Sequence, residues 1–196
     1  ILFGNLAPEG AVIKTAAIPD DLTHFVGRAR VFDSSDAALQ AIFSTDTQHR
    51  IQPGDAIVIR YEGPAATGMP EQFYVTEAIA SNPELATTVA LITDGRFSGA
   101  SRGPVIGHVS PEAIRGGTIA VVQENDMIEF DLTHGSLNWV GHNGQRLSET
   151  ERDRVLQARL AQWSPPERKY TSGLLGLYTR LALSAVEGAG LSTSFV

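Results

Sequence analysis

Cysteine is absent from the 196 residues of this sequence, so the chain can form no disulfide. It can also supply no thiolate ligand to a zinc ion or an iron–sulfur cluster. Positive charge is scarce, because 15 lysine and arginine residues against 22 acidic residues give a net charge of −7 at pH 7. A nucleic acid would have to bind against this field, and no apolar run approaches the roughly 20 residues that cross a bilayer. We therefore expect neither nucleic acid nor a membrane as a partner.

The composition indicates one folded domain. Hydrophobic residues make up 42% of the chain and charged residues 19%, which excludes intrinsic disorder. The opening residues have no basic stretch followed by an apolar run, which is the pattern expected of a signal peptide. We expect a cytoplasmic protein, or one in a mitochondrion or plastid if the source is eukaryotic. The sequence does not begin with Met, and we expect the chain to be a segment of a longer protein.

Short β-branched runs bounded by turn residues predict a series of strands, and capping signals or helical apolar spacing predict the helices. The predicted strands cover residues 11–16, 25–32, 55–61, 87–92, 118–123, 127–132 and 136–140. The predicted helices cover residues 34–43 and 72–80, a segment starting at Ser110, residues 148–163 and residues 172–186.

Strands dominate residues 1–145, and helices dominate residues 146–196. This order predicts an α+β domain with a barrel-like or layered mixed sheet. The C-terminal helices are expected to pack on the barrel as an extension of the same structural unit. A regular parallel alternation of strands and helices fits the pattern less well.

Three loops concentrate glycine, proline and polar side chains: residues 4–10, 61–71 and 93–103. The third loop follows an apolar run, and the end of a strand is where rigid scaffolds commonly present functional loops. There Gly99 permits close approach of a ligand to the backbone, while Ser98 and Ser101 supply hydroxyls. An ordinary surface turn, with local hydrogen bonds from Asp94 and the serines, is an equally weighted alternative.

General catalytic signatures mostly fail in this sequence. The nucleophile elbow G-x-S-x-G would need glycine at the positions of Arg96 and Ala100, which disfavours a serine hydrolase. No Gly-rich phosphate-binding motif is present, and the histidines lack the H-x-x-x-H spacing of metal ligands. Glu62 and Glu71 in the second loop are candidate ligands for a hard cation such as Mg²⁺, which takes one or two protein carboxylates.

Four strings resemble the C-terminal domain of the dihydroxy-acid dehydratase and sugar-acid or phosphogluconate dehydratase family. They are GNLAPEGAVIK at 4–14, YEGP with GMPE within 61–71, TDGRFSGASRG at 93–103 and IGHVSPEA at 106–113. The likeness continues through the segment 116–131 and the helical tail, so it covers essentially the whole chain. The resemblance implies a swivelling β/β/α barrel-like domain with C-terminal helices.

The resemblance also implies a hydro-lyase that removes water from a 2,3-dihydroxy carboxylate and leaves a 2-keto acid. Its cofactors would be Mg²⁺ and an iron–sulfur cluster, of the 2Fe–2S type, held by cysteines of a larger N-terminal domain. Ser98 matches the base that takes the C2 proton, and Glu71, in preference to Glu62, matches a magnesium ligand. Ser101 and Gly99 are expected to bind substrate. The isolated chain would then be inactive.

Departures from the family pattern bear on the substrate. Many relatives have Gly and Thr where this chain has Ala100 and Ser101, and a Cys-containing stretch where it has Pro104 and Val105. The opening string favours the dihydroxy-acid branch over the sugar-acid branch. The expected substrate is therefore 2,3-dihydroxyisovalerate of branched-chain amino acid biosynthesis, and a sugar acid is the alternative.

Two functions of other classes stay open at this stage. One is a diverged binding module that keeps the barrel without the chemistry, and the other is a serine hydrolase that uses Ser98 with His108. As partners of a dehydratase we expect the small dihydroxy acid, the N-terminal domain of the same protein and a second copy in a homodimer. Arg96 and Arg102 are expected to brace the loop, and Lys14 has no assigned chemistry.

Overall fold

The computed structural model describes residues 1–19 and 22–192. Within them one mixed sheet is built from β1 Gly10–Ile13, β2 His24–Phe32, β3 Asp55–Ile59, β4 Ala90–Thr93, β5 Val105–Ser110, β6 Asp126–Asp131, β7 Ser136–His142 and β8 Gln145–Arg146. The order across the sheet is β1-β5-β4-β3-β2-β6-β7-β8. Strands β2 to β5 are parallel, and the outer pairs are antiparallel. The sheet curls into half a barrel, which confirms the α+β prediction.

The same residues form α1 Ser35–Ile42, α2 Pro64–Thr67, α3 Phe73–Ala80, α4 Glu149–Gln162 and α5 Gly173–Leu181. Helix α1 begins where its capping residue predicts, because the Ser34 hydroxyl accepts a hydrogen bond from Ala37 N–H at 3.3 Å. Helix α4 begins at the predicted capping box of Ser148 and Glu151. No helix within these described residues is long and apolar enough to cross a membrane.

Two predictions on either side of Gly116 and Gly117 are wrong. Residues 118–123 do not form a strand but begin with a 3-10 helix, Thr118–Val121. A Cβ at Gly117 would lie 1.7 Å from the Pro111 carbonyl oxygen, so this close approach turns the chain where a strand would have continued. The helix predicted from Ser110 is only a 3-10 turn, Ala113–Arg115, because Gly116 ends it in the left-handed conformation.

Two other boundaries differ from the prediction. Strand β5 was not predicted, since Gly107 and His108 interrupt its apolar pattern. The last predicted helix ends at Leu181, because Ala182 is extended, with ψ at 131°.

The central strands are buried on both faces, which explains their continuous apolar runs. On the concave side, Ala56 and Val58 of β3 pack in a core with Phe130 and Trp139. On the other side, the alternate residues of β3 pack against α1 and α3 in a second core that includes Ile57, Ile59, Ala38, Ile42, Val75 and Ile79. The carboxyl ends of β3 and β4 are thus held rigidly between two cores.

The first residues of the chain link β1 to β7. Leu2 pairs with Ala11, and Phe3 N–H donates to the Gly135 carbonyl at 2.9 Å. The side chain of Asn5 then bonds both backbone groups of Trp139, at 2.7 and 2.8 Å. Asn5 therefore has a structural role, since it fixes the opening loop to the barrel.

Helix α4 is anchored to the barrel by an ion pair and by apolar contacts. Arg159 donates to the buried carboxylate of Asp126 at 2.5 Å, and Leu156 enters the concave core. Just after the helix, Trp163 donates its indole N–H to the Tyr61 hydroxyl at 3.1 Å.

Candidate functional site

The second and third predicted loops meet beyond the carboxyl ends of β3 and β4. Glu71 pairs with Arg96 as a parallel bridge, and the N–H of Gln72 donates to the Arg96 carbonyl at 2.9 Å. The Arg96 side chain crosses back and donates from Nε to the Met69 carbonyl at 2.9 Å. Arg96 thus braces the two loops. Ser98 follows Arg96 by two residues, so the structure brings the Glu71 and Ser98 segments to one edge of the domain.

One backbone N–H contacts the half-buried side chain of Ser98, and one ammonium group contacts the next residue of its loop. Its hydroxyl oxygen accepts a hydrogen bond from Ala100 N–H at 3.0 Å. The ammonium group of Lys14, at the end of β1, donates to the Gly99 carbonyl next in the chain. Backbone donation to an oxygen favours its charged form, and the Ala100 N–H is one such donor to Ser98. The sequence did not assign this contact to Lys14.

The other two predicted substrate contacts differ in their accessibility. Gly99 is exposed, and a Cβ there would meet nothing within 4 Å, so its face is open to a ligand. The hydroxyl of Ser101 is buried and has no hydrogen-bond partner among the described residues, while its N–H donates to the Ser98 carbonyl at 3.2 Å. Ser101 therefore supports the loop through its backbone.

The two candidate cation ligands occupy opposite environments. Glu62 is buried, and its carboxylate accepts hydrogen bonds from Ser35 N–H at 3.1 Å and from the Thr67 hydroxyl at 3.3 Å. Glu71 is exposed, and its carboxylate forms no ion pair or hydrogen bond with any described residue. Among residues 1–19 and 22–192, no three histidine or acidic side chains are grouped to hold a metal. Glu71 could therefore bind a hard cation only with ligands from elsewhere.

Two buried acids beneath the loops were not predicted to belong to the site. Asp94 is fully buried at the end of β4 and accepts hydrogen bonds from the N–H groups of Tyr61, Glu62 and Ala113, at 2.9 to 3.1 Å. Burial raises the pKa of Asp94 to about 7, and the charge of Glu112 adds to the rise. The one sequence signal was the position of Asp94 directly after an apolar strand.

Glu112 has a similar role in the loop that follows β5. Its carboxylate accepts hydrogen bonds from the N–H groups of Ala65 and Ala66 at 3.0 and 3.2 Å, which fixes the start of α2. Burial is also the main reason that the pKa of Glu112 is raised. Asp94 and Glu112 together join the segments that precede Glu71 and Ser98.

The geometry does not support a serine hydrolase. In the residues that the structure describes, Ser98 has no hydrogen bond to His108, so the nucleophile lacks the base that such a mechanism requires. The His108 ring lies beside the ring of Phe97 instead, with 6.3 Å between the centroids. Burial, and secondarily the charge of Arg96, lower the pKa of His108.

Comparison with known proteins identifies the family. A family model described as "Dihydroxy-acid/6-phosphogluconate dehydratase C-terminal" matches residues 1–189. The chain belongs to this family. The match includes every loop of the site, and it confirms the resemblance that the four strings indicate.

Curated relatives agree with this assignment. The dihydroxy-acid dehydratase of Ruminiclostridium cellulolyticum is 47% identical over 192 residues, which cover 97% of this domain and 32% of that protein. That of Oleidesulfovibrio alaskensis is 48% identical over 190 residues, covering 96% of this domain and 32% of that protein. That of Sulfolobus acidocaldarius is 45% identical over 190 residues, covering 96% of this domain and 31% of that protein. The domain thus spans about a third of the length of these relatives.

Proposed function

We propose that this chain is the C-terminal catalytic domain of a hydro-lyase that converts a 2,3-dihydroxy carboxylate into a 2-keto acid and water. The observation that carries the proposal is the pairing of Glu71 with Arg96, which sets an unpaired carboxylate beside the Ser98 loop. A second observation is that the space beside Gly99 is empty, which leaves room for a substrate at the same edge of the domain.

Ser98 acts as the base in this proposal. Its deprotonated Oγ takes the proton from C2, the electron pair of that C–H bond forms the C2–C3 double bond, and the C3 hydroxyl leaves and is protonated to water. The resulting enol takes a proton at C3, loses the proton of its C2 hydroxyl and becomes the 2-keto acid. A free serine hydroxyl is too weak an acid for this role, so the donor from Ala100 N–H and the nearby Lys14 ammonium help to hold the charge.

Glu71 would hold Mg²⁺ at the edge of the site, because its carboxylate is a hard oxygen donor without a partner in the described chain. When bound, Mg²⁺ and an iron–sulfur cluster supply Lewis acidity that stabilises negative charge on neighbouring oxygens. The chain contains no cysteine, so we propose that a larger N-terminal domain of the same protein holds the cluster. We also propose that the complete protein is a homodimer.

Within the substrate class, we propose 2,3-dihydroxyisovalerate as the substrate. This choice is supported by the relatives, which are dihydroxy-acid dehydratases, and by the opening string of the sequence. Comparison of turnover on 2,3-dihydroxyisovalerate and on gluconate separates the proposed substrate from the sugar-acid alternative.

The test uses the full-length protein loaded with its cluster and Mg²⁺. Ser98→Ala should lower the rate of 2-keto acid formation by about 10²- to 10⁴-fold, the usual contribution of a general base. Ser81→Ala is the matched control, since Ser81 is an exposed residue at the end of α3 and should leave the rate unchanged. Iron content and circular dichroism should be equal in all three proteins. Turnover by Ser98→Ala near that of the wild type would refute the proposal.

A further inference from the structure

A cavity of about 360 Å³ lies between the paired loops and the C-terminal tail. Met69 and Arg96 line it from the loops, His108 lines it from β5, and Ala185 and Ala189 line it from the tail. Its volume falls within the roughly 300–1,000 Å³ that is usual for small-molecule sites. The cavity therefore opens beside the same loops that carry Glu71 and Ser98.

Two polar side chains that line this cavity, Arg96 and His108, have nitrogens without hydrogen-bond partners in the described chain. Arg96 uses only Nε, on the Met69 carbonyl, and its two terminal nitrogens bond no described residue. The ring nitrogens of His108 likewise form no hydrogen bond in the described chain. A guanidinium with free terminal nitrogens presents a planar pair of donors, which matches a carboxylate or phosphate.

Acidic groups nearby do not neutralise these donors. Within the residues that the structure describes, no acid lines the cavity. Glu71 is paired with Arg96 through the backbone bridge, and no ion pair joins their side chains. Glu187, in the tail, is bonded to its own capping residue, because its carboxylate accepts from Ser184 N–H at 3.1 Å and from the Ser184 hydroxyl at 2.7 Å.

The backbone of β5 fixes the position of His108. Strand β5 has a bulge, in which His108 and Val109 lie opposite Ala11 alone. His108 takes a φ of 59°, and its N–H donates to the Gly95 carbonyl at 2.8 Å. Such bulges re-aim a side chain and occur next to functional sites. The bulge therefore turns the His108 side chain away from the regular alternation of the strand. It lines the same cavity as Arg96.

The tail wall of the cavity is also fixed. The Tyr178 hydroxyl of α5 donates to the Ala189 carbonyl at 2.6 Å, which ties the tail turn to the helix. Leu175 packs over Gly68, where a Cβ would lie 2.7 Å from its methyl carbon. The helix and the loop before Glu71 are therefore in direct contact, so the cavity has a formed shape without a partner domain.

We propose that this cavity binds an anionic group, a carboxylate or a phosphate, through the guanidinium of Arg96 and the ring of His108. The binding needs neither a metal nor chemistry at Ser98. It can therefore be measured in the complete protein without substrate, and its failure would leave the dehydratase proposal untouched.

The test follows the ring signals of His108 by NMR while inorganic phosphate or isobutyrate is added at constant ionic strength. We expect saturable shifts with at least one of the two anions, and the anion that saturates the signals assigns the chemical class. Arg96→Gln should weaken this binding by about tenfold or more, the usual contribution of charge-assisted hydrogen bonds. Arg102→Gln is the matched control, since Arg102, like Arg96, is an exposed arginine of the same loop, but it lies outside the cavity lining.

A second variant guards against a folding defect in Arg96→Gln. Ala185→Leu adds bulk at the tail wall without changing any charge, so it should also abolish the saturable shifts. Amide spectra verify the fold of each variant. The proposal would be overturned by linear, unsaturable shifts with both anions, or by equal weakening in Arg96→Gln and Arg102→Gln, which would indicate attraction by diffuse charge only.

Discussion

Replacing Asp94 by asparagine should remove a pH dependence of stability that the wild-type domain carries. The folded domain raises the pKa of Asp94 from its usual 3.8 to about 7, mainly through burial. Between about pH 4 and pH 7 the folded state therefore holds a proton that the unfolded state has released, so the free energy of unfolding falls as the pH rises. A pKa rise from 3.8 to about 7 corresponds to about 4 kcal/mol over that interval.

The asparagine side chain does not titrate, so the free energy of unfolding that the substitution itself removes does not depend on pH. In the wild type, the N–H groups of Tyr61 and Ala113 donate to the same carboxylate oxygen of Asp94. The asparagine carbonyl can accept both of these hydrogen bonds. Its amide nitrogen then faces the N–H of Glu62, and this unpaired buried donor costs about 1–3 kcal/mol. The unfolding free energy of the wild type minus that of Asp94→Asn should accordingly fall by about 4 kcal/mol from pH 4 to pH 8. This fall exceeds the cost of the substitution, so the variant should be the less stable protein at pH 4 and the more stable one at pH 8.

Urea unfolding followed by tryptophan fluorescence across this pH range measures the difference, because Trp139 is buried in the concave core. Asp153→Asn on the exposed face of α4 should keep the wild-type pH profile. Opposing effects from other groups, such as the lowered pKa of His108, are common to both proteins and cancel. A profile for Asp94→Asn that runs parallel to the wild type would show that Asp94 does not titrate as inferred.

Three further substitutions test the packing of the domain, each by the free energy of unfolding in urea. Arg159→Met leaves the buried Asp126 without its partner and should cost about 3–5 kcal/mol, whereas a loss below about 1 kcal/mol would show a solvated pair. Ser148→Ala removes the cap of α4 and should cost about 1 kcal/mol, and no change would mean that the capping box is not formed in solution. Gly117→Ala brings a Cβ onto the Pro111 carbonyl and should cost more than about 4 kcal/mol, so a stable variant would contradict that close approach.

Helices α1, α3 and α4 could be predicted from the sequence because their signals are local. A capping hydroxyl such as Ser34 or Ser148 bonds a backbone group only three residues away, so the pattern and the structure coincide. The run 118–123 could not be assigned in the same way. Its β-branched residues suit a strand, but the contact of Gly117 with a distant carbonyl decides its conformation.

The site shows the same division between local and tertiary information. Ser98 and Glu71 were selected from their own strings, and the structure places both on paired loops. Asp94 and Glu112 were missed because an acid becomes buried only when several loops converge on it. The direction of His108 depends on a bulge in the pairing of β1 with β5, which a single strand sequence does not reveal.

In the proposed reaction, the oxygen of Ser98 takes the C2 proton of the substrate. Release of deuterium to solvent from 2,3-dihydroxyisovalerate labelled at C2 measures this step directly in the full-length, cluster-loaded protein. The wild type should release deuterium as 2-keto acid forms, and Ser98→Ala should do both about 10²- to 10⁴-fold more slowly. Release at the wild-type rate by Ser98→Ala would contradict the claim, because another group would then be taking the proton.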